Sequence, residues 1–331
     1  MKEKSSSLKN ILSEPDYEKE GFVKYTYKGK SYKLWYGKIG SGNKPPVLVL
    51  HGGPGGNHHN LVAFQALSKD RPVIFYDQLG CGKSDRPNDS SLWRAERYFD
   101  EVQAIRDGLK LKKYHLIGHS WGTTLAVGFA ARHPDGILSV SLHSPILSFP
   151  RYIEKVAPQL KQELKSLDGK AGRFIDDYEL RGIGTRDKYD EACLEFTKKH
   201  VTHTWPLPEA MKKLIAARNP QIHDVMVASG SELNVLGNLK TVDVTPQLSI
   251  LNVPVLITCG NDDLCTPDYS KWQAGLAKDA EFYVMQDGAH MTPMDKPIEL
   301  IKIQTDFLSK IENLAPFGRT FDRIIPLTAG D

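Results

Sequence analysis

Cysteine is scarce: four in 331 residues, at positions 81, 193, 259 and 265. Their spacing matches no zinc pattern, and a chain this long needs no disulfide staples. Free thiols, mostly in the core, are expected. Long apolar runs are missing as well. No stretch approaches the roughly 18 consecutive apolar residues of a membrane-spanning helix. The opening MKEKSSSLKNILSEPDYEKE has no apolar run after its lysines, so no secretory leader of the usual kind is expected, and the cytoplasm is the default location. There is no long basic block either. The 43 basic and 40 acidic side chains alternate in sign and leave a net charge of +3. That balance argues against nucleic acid or an anionic membrane as the main partner. Internal repeats are absent.

What remains is the composition of a globular protein with a substantial core, 40% hydrophobic and 25% charged. Residues 1–16 are polar and expected to be loosely ordered. Residues 21–39 alternate polar with aromatic or aliphatic types around Lys28-Gly29-Lys30, the pattern of an antiparallel hairpin. From residue 46 the grammar changes. Short apolar runs at 46–50, 72–76, 114–117, 137–142, 254–258 and 281–285 suit strands buried on both faces of a parallel sheet. Helical patterns at 57–68, 97–109, 121–133, 268–277 and 297–312 separate them. This alternation predicts an α/β fold with a mostly parallel central sheet and helices on both faces. It stops between about 145 and 252, where helical patterns rich in charge (152–165, 188–203, 209–218) replace strands. The expected organisation is a core of 1–145 and 251–331 carrying a helical cap, 146–250, over the edge where such sheets bind ligands. The tail 315–331 contains Phe317, Phe321, Ile324 and Ile325 and is expected to dock, on the chain itself or within a homo-oligomer.

Within this frame Gly118-His119-Ser120-Trp121-Gly122 follows a strand and opens a helix, the context of a nucleophile elbow. The turn strains the serine backbone and presents its hydroxyl, while the glycines let strand and helix approach closely. His51-Gly52-Gly53-Pro54-Gly55-Gly56 follows another strand end. Such a loop can aim backbone N–H groups at a developing negative charge, which nominates the N–H groups of Gly53 and Trp121 as an oxyanion hole. His51 is expected to brace the loop. A serine nucleophile needs a base. Among eleven histidines, His290 lies just after the last predicted strand, where a base belongs, whereas His133, His200, His203 and His223 fall in helices or cap. His58 and His59 would need further ligands to hold a metal, and none stands at suitable spacing. The orienting acid should follow strand 254–258, where Asp262 and Asp263 are both available and loop position favours Asp263. Gly82-Lys83-Ser84 looks like the end of a P-loop, but the glycine required five residues earlier is Asp77, so 77–84 is expected to be a turn.

Together these segments resemble the proline iminopeptidase family of α/β-hydrolases, including the tricorn-associated aminopeptidases. The matching stretches are HGGPG at 51–55, DQLGCGKS at 77–84, GHSWG at 118–122, GNDDLCTP at 260–267 and GAHMT at 288–292. The resemblance implies the α/β-hydrolase fold, Asp263 as acid and His290 as base. It also implies cleavage of an N-terminal residue, often proline, from short peptides or amides. In the family a cap carboxylate holds the free amine, and the segment from Gly230-Ser231-Glu232-Leu233 to Gly237-Asn238-Leu239 places it at Glu232. The chain departs from the family at Leu264, where some relatives carry a second carboxylate. It departs again at Leu233 and Val242, which replace a common aromatic pair.

The expected chemistry is two-step acyl transfer from Ser120, with His290 as base and then acid, and with no metal or organic cofactor implied. The expected partner is a small-molecule or short-peptide substrate. An esterase, lactonase or amino-acid amidase would use the same machinery, and a non-catalytic binding homologue could retain the fold.

Overall fold

The structure is a computed structural model that describes residues 11–314. The expected docking of the tail 315–331 therefore lies outside the described residues. Eight strands form one sheet: β1 (Lys19–Tyr27), β2 (Lys30–Ile39), β3 (Val47–Leu50), β4 (Val73–Tyr76), β5 (Tyr114–His119), β6 (Ile137–His143), β7 (Val255–Gly260) and β8 (Ala280–Met285). Their order across the sheet is β1-β2-β4-β3-β5-β6-β7-β8. The β1–β2 hairpin and the β2–β4 pairing are antiparallel, and every other pairing is parallel. The hairpin turns at Lys28 and Gly29, both at positive φ (48° and 77°), the backbone that matches the twist of two paired strands.

Pleating explains why the short strands are apolar throughout. Leu48, Leu50, Ile74, Tyr76 and Leu116 point into one hydrophobic core. Their neighbours Val47, Val49, Val73, Phe75 and Ile117 point into the other. Helices α2 (Ala95–Gly108) and α3 (Trp121–Arg132) cover the first face. The 3-10 helix α1 (His58–Lys69) and the long helix α5 (Pro297–Leu314) cover the second, while α4 (Pro267–Ala274) packs on β7 and β8. Each large apolar side chain withdrawn from water contributes about 1.5–3 kcal/mol, so doubly covered strands only four residues long are stable. The helical pattern at 57–68 is thus found as a tighter 3-10 helix, capped by the Asn57 side chain on the His59 N–H.

Between β6 and β7 the chain forms helices joined by loops, including Ala157–Glu163, Ala171–Arg181, Arg186–Phe196, Glu209–Ala216 and Pro220–Met226, and contributes no strand to the sheet. The helix Ala171–Arg181 had no counterpart in the sequence pattern. It buries only Ala171, Gly172 and Ile175, too few apolar positions to stand out from its charges. This segment bonds to the loops at the sheet edge. The His200 carbonyl accepts the N–H groups of Leu264 (3.2 Å) and His290 (3.1 Å). The Asn219 N–H donates to the Gly55 carbonyl at 2.9 Å.

Residues 11–16 are not loose. Gln65 Nε2 donates to the carbonyls of Ile11 and Ser13. Glu14 reaches His58 Nε2 (3.3 Å), His59 Nε2 (2.8 Å) and Lys213 Nζ (3.3 Å). Composition marked the segment as polar, but its acceptors find donors more than 40 residues away in sequence, the buried His58 among them.

Candidate active site

Five loops at the C-terminal ends of β3, β5, β6, β7 and β8 meet at one edge of the sheet, as expected for an open α/β sheet. The sharpest is the turn at Ser120, which has φ 54° and ψ −128°. A β-carbon on Gly118 would lie 2.4 Å from the Gly122 carbonyl oxygen, and one on Gly122 would lie 2.1 Å from that of Leu50. Only glycine lets β5 turn this tightly into α3. The backbone strain costs on the order of 1–3 kcal/mol and holds the Ser120 side chain at the cavity wall. Trp121 is the first residue of α3, so its N–H has no acceptor within the helix.

The glycine loop after β3 passes directly against this turn. A β-carbon on Gly52 would lie 2.9 Å from Ser120 Cβ, and Gly53 sits at φ +127°. Gly53, Ser120 and Trp121 line a common chamber. His51 underlies the loop: its Nδ1 is 2.9 Å from the Gly52 carbonyl, and its Nε2 accepts the Gln78 N–H at 3.0 Å. Burial pushes the imidazole down to about 4, so it is neutral with one nitrogen donating and the other accepting. Gln78 completes the brace, donating to the His51 carbonyl (2.7 Å) and accepting from the Trp121 indole (3.1 Å). The segment 77–84 is a turn, tied down by the buried Asp77 through the His58 and Lys83 N–H groups.

His290 and Asp263 meet although 27 residues separate them, with Nδ1 2.7 Å from Oδ1. Both are buried. Burial alone would raise the Asp263 carboxyl, but the charge and hydrogen bond of His290, the Ser144 hydroxyl and the Cys265 N–H together hold it below its ordinary value. It is therefore ionised, and the imidazole nitrogen is the donor. The neighbouring aspartate points elsewhere. Asp262 Oδ2 is 3.0 Å from Asn261 Nδ2 and 3.7 Å from His203 Nε2. The two aspartates left open by sequence are thus distinguished by direction. Two residues that sequence analysis passed over fix the His290 backbone: Ser144 Oγ and His119 Nε2 both lie 2.9 Å from its carbonyl oxygen. His119 is pushed down to about 3, chiefly by burial, and is neutral. Its place inside the elbow motif was visible, but nothing local marked its partner.

Ser120 and His290 line a cavity of 270 Å³ together with Gly53, Glu232 and Arg218. A smaller apolar chamber of 30 Å³ opens beside it, bounded by Ser120, Trp121, Phe149, Tyr152, Glu232 and Leu264. Glu232 and Ser120 belong to both. The Glu232 backbone is left-handed, at φ 64°, and its side chain is 38% exposed. Burial works against its charge, but the neighbouring His223 imidazole, its Nε2 3.5 Å away, outweighs that, with smaller help from Arg218 and His290. The carboxyl is held down to about 2. His223, on the helix Pro220–Met226, is buried beside this carboxylate. His58 and His59 lie apart from this cavity in the Glu14 network, whose carboxylate is shared with Lys213.

A serine at a strained strand-to-helix turn, a histidine bonded to a buried carboxylate and a glycine loop on a doubly wound sheet are the features of an α/β-hydrolase. Residues 45–297 match the family model of the alpha/beta hydrolase fold. The chain belongs to the proline iminopeptidase family within that fold. It is 40% identical over 293 residues to the proline iminopeptidase of Heyndrickxia coagulans, covering 88% of this chain and 99% of that protein. It is 33% identical to the enzyme of Lactobacillus helveticus over 84% of this chain and 95% of that one. The solved structure of the Mycobacterium smegmatis proline iminopeptidase superposes with a TM-score of 0.79 at 28% identity, covering 90% of this chain and all of that one. Among the described residues no helix is long and apolar enough to cross a membrane.

Proposed function

We propose that the chain is a serine aminopeptidase that releases a small or apolar N-terminal residue, proline among them, from short peptides or amino-acid amides. The observation that carries this reading is the place of Glu232. One ionised carboxylate lines both the chamber and the cavity at Ser120, so a substrate amine held there sets its own acyl carbon beside the nucleophile. A charge-assisted hydrogen bond to a partly desolvated carboxylate selects a free amine over a blocked one. The chamber beside Ser120 is walled by Phe149, Tyr152 and Leu264, so the N-terminal side chain meets apolar surface there.

In this mechanism His290 takes the proton of Ser120 Oγ as that oxygen attacks the carbonyl carbon. Asp263 keeps Nδ1 protonated and offsets the charge of the imidazolium. The N–H groups of Gly53 and Trp121 hold the oxyanion. His290 then gives its proton to the departing amine. Water repeats the sequence on the acyl-enzyme and frees Ser120. No step calls for a metal. The segment 146–250 acts as the cap that supplies Glu232 and shuts water out of the cavity.

The test compares an amino-acid anilide, its N-acetyl form and a simple aryl ester. Turnover of the free-amine anilide that far exceeds both others supports the proposal. Equal turnover of blocked and free anilides refutes it and favours an esterase or general amidase. Failure of a fluorophosphonate probe to label Ser120 would point to a non-catalytic homologue.

A further inference from the structure

The reading above accounts for Ser120, His290, Asp263 and Glu232 but leaves one charged side chain of the main cavity unused. Arg218 is the single lysine or arginine among the residues lining that cavity, whose remaining wall is largely apolar. It also lines an outer groove with His223 and Asp224, so it stands at the mouth, between the cavity and solvent. Its position is fixed through its neighbour. The Asn219 N–H donates to the Gly55 carbonyl (2.9 Å), and Asn219 Nδ2 donates to the Gly80 carbonyl (2.8 Å). The Arg218 carbonyl itself accepts from Arg86 Nη2 at 3.2 Å. The residue is therefore clamped to the glycine loop that borders Ser120. Among the described residues its guanidinium enters no salt bridge or hydrogen bond and acts on Glu232 only through space.

We infer that Arg218 receives the free carboxylate of the leaving amino acid, so that dipeptides are the preferred substrates. This assignment rests on the aminopeptidase reading of the same site. The chemistry is that of complementary ends. A dipeptide is a zwitterion whose ammonium and carboxylate are separated by about two residues of extended chain, on the order of 7 Å. Glu232 meets the ammonium, Ser120 faces the peptide bond between the two ends, and Arg218 at the mouth meets the carboxylate. Guanidinium presents two parallel N–H donors to the two oxygens of a carboxylate, a match that an ammonium cannot make. An amide or a longer peptide has no charge at this position and leaves Arg218 facing water, as in the free protein.

The experiment measures kcat/KM for an aminoacyl-glycine and the matching aminoacyl-glycinamide, in the wild type and in Arg218→Gln and Arg218→Lys, with the free-amine anilide as reference. The N-terminal residue is the one that gives the fastest anilide. The wild type should prefer the dipeptide by about tenfold or more, mainly through KM. The preference should collapse toward unity in Arg218→Gln and be partly kept in Arg218→Lys. A wild-type ratio near one overturns the assignment. So does a ratio that survives Arg218→Gln, and so does an equal loss on dipeptide, amide and anilide, which would mean that Arg218 acts only through Glu232. Each of these leaves the aminopeptidase reading intact. Absence of anilide turnover by the wild type would sink that reading, and this one with it.

Discussion

Replacing Asp263 by asparagine separates the charge of the carboxylate from its shape. Asp263 Oδ1 faces two donors at short range, His290 Nδ1 at 2.7 Å and the Cys265 N–H at 2.8 Å. Oδ2 accepts the more distant Gly260 N–H, at 3.4 Å. An amide in this frame puts its oxygen where the donors are close, at the Oδ1 position. The imidazole then keeps its Nδ1 proton, and Nε2 remains the basic nitrogen. What is lost is the negative charge opposite the imidazolium that forms during attack. Two unit charges about 4 Å apart interact by about 4 kcal/mol at an effective dielectric near 20. A neutral acceptor recovers about 1–2 kcal/mol of that as an ordinary hydrogen bond. The net loss is about 2–3 kcal/mol, or roughly 30- to 150-fold in kcat. KM should move by less than about threefold, because Asp263 lines neither the cavity nor the chamber. Steady-state kinetics on the free-amine anilide measures both, with Asp262→Asn as the control. Asp262 faces Asn261 and His203 rather than His290, and its variant should stay within about threefold of wild type. Wild-type kcat in Asp263→Asn, or a larger loss in Asp262→Asn, would refute the assignment of the acid. A loss near 10,000-fold would refute the amide orientation, since a drop of that size signals a reversed tautomer.

Glu232→Gln should lower kcat/KM for free-amine substrates by about 10- to 150-fold, the loss of one hydrogen bond to a charged group, and leave the weak turnover of N-acetyl substrates nearly unchanged. Paired kinetics on the two anilides checks this. Gly122→Ala places a methyl group against the Leu50 carbonyl and should destabilise the fold by several kcal/mol, visible as a lower denaturation midpoint. The N-terminal strap predicts a pH dependence. Burial would lower His58, but Asp77 and Glu14 outweigh it and raise the imidazole to about 9. A raised folded-state value means that the stabilisation is complete below the unfolded value near 6.5 and is lost as pH rises through about 9, by up to about 3 kcal/mol. Urea titrations at pH 6.5 and 9.5 should show this loss in the wild type and a smaller one in Glu14→Gln.

The local parts of this protein are written in short stretches of chain. Strand runs bounded by turn residues, the hairpin at Lys28-Gly29 and the elbow around Ser120 each follow from a few adjacent residues, because steric limits on the backbone act between neighbours. Family motifs extended that reading to His290, Asp263 and Glu232. Direction and partnership were decided only by folding. Asp262 and Asp263 are chemically identical neighbours, and the loop after β7 turns just one of them toward His290. Glu14 meets His58 across 44 residues, His119 and Ser144 hold the His290 carbonyl across 171 and 146, and Arg218 reaches the cavity at Ser120 from a helical segment with no motif of its own. Contacts of that span depend on how helices and loops pack at the sheet edge. Packing energy is shared among many side chains, so no local pattern in the sequence records it.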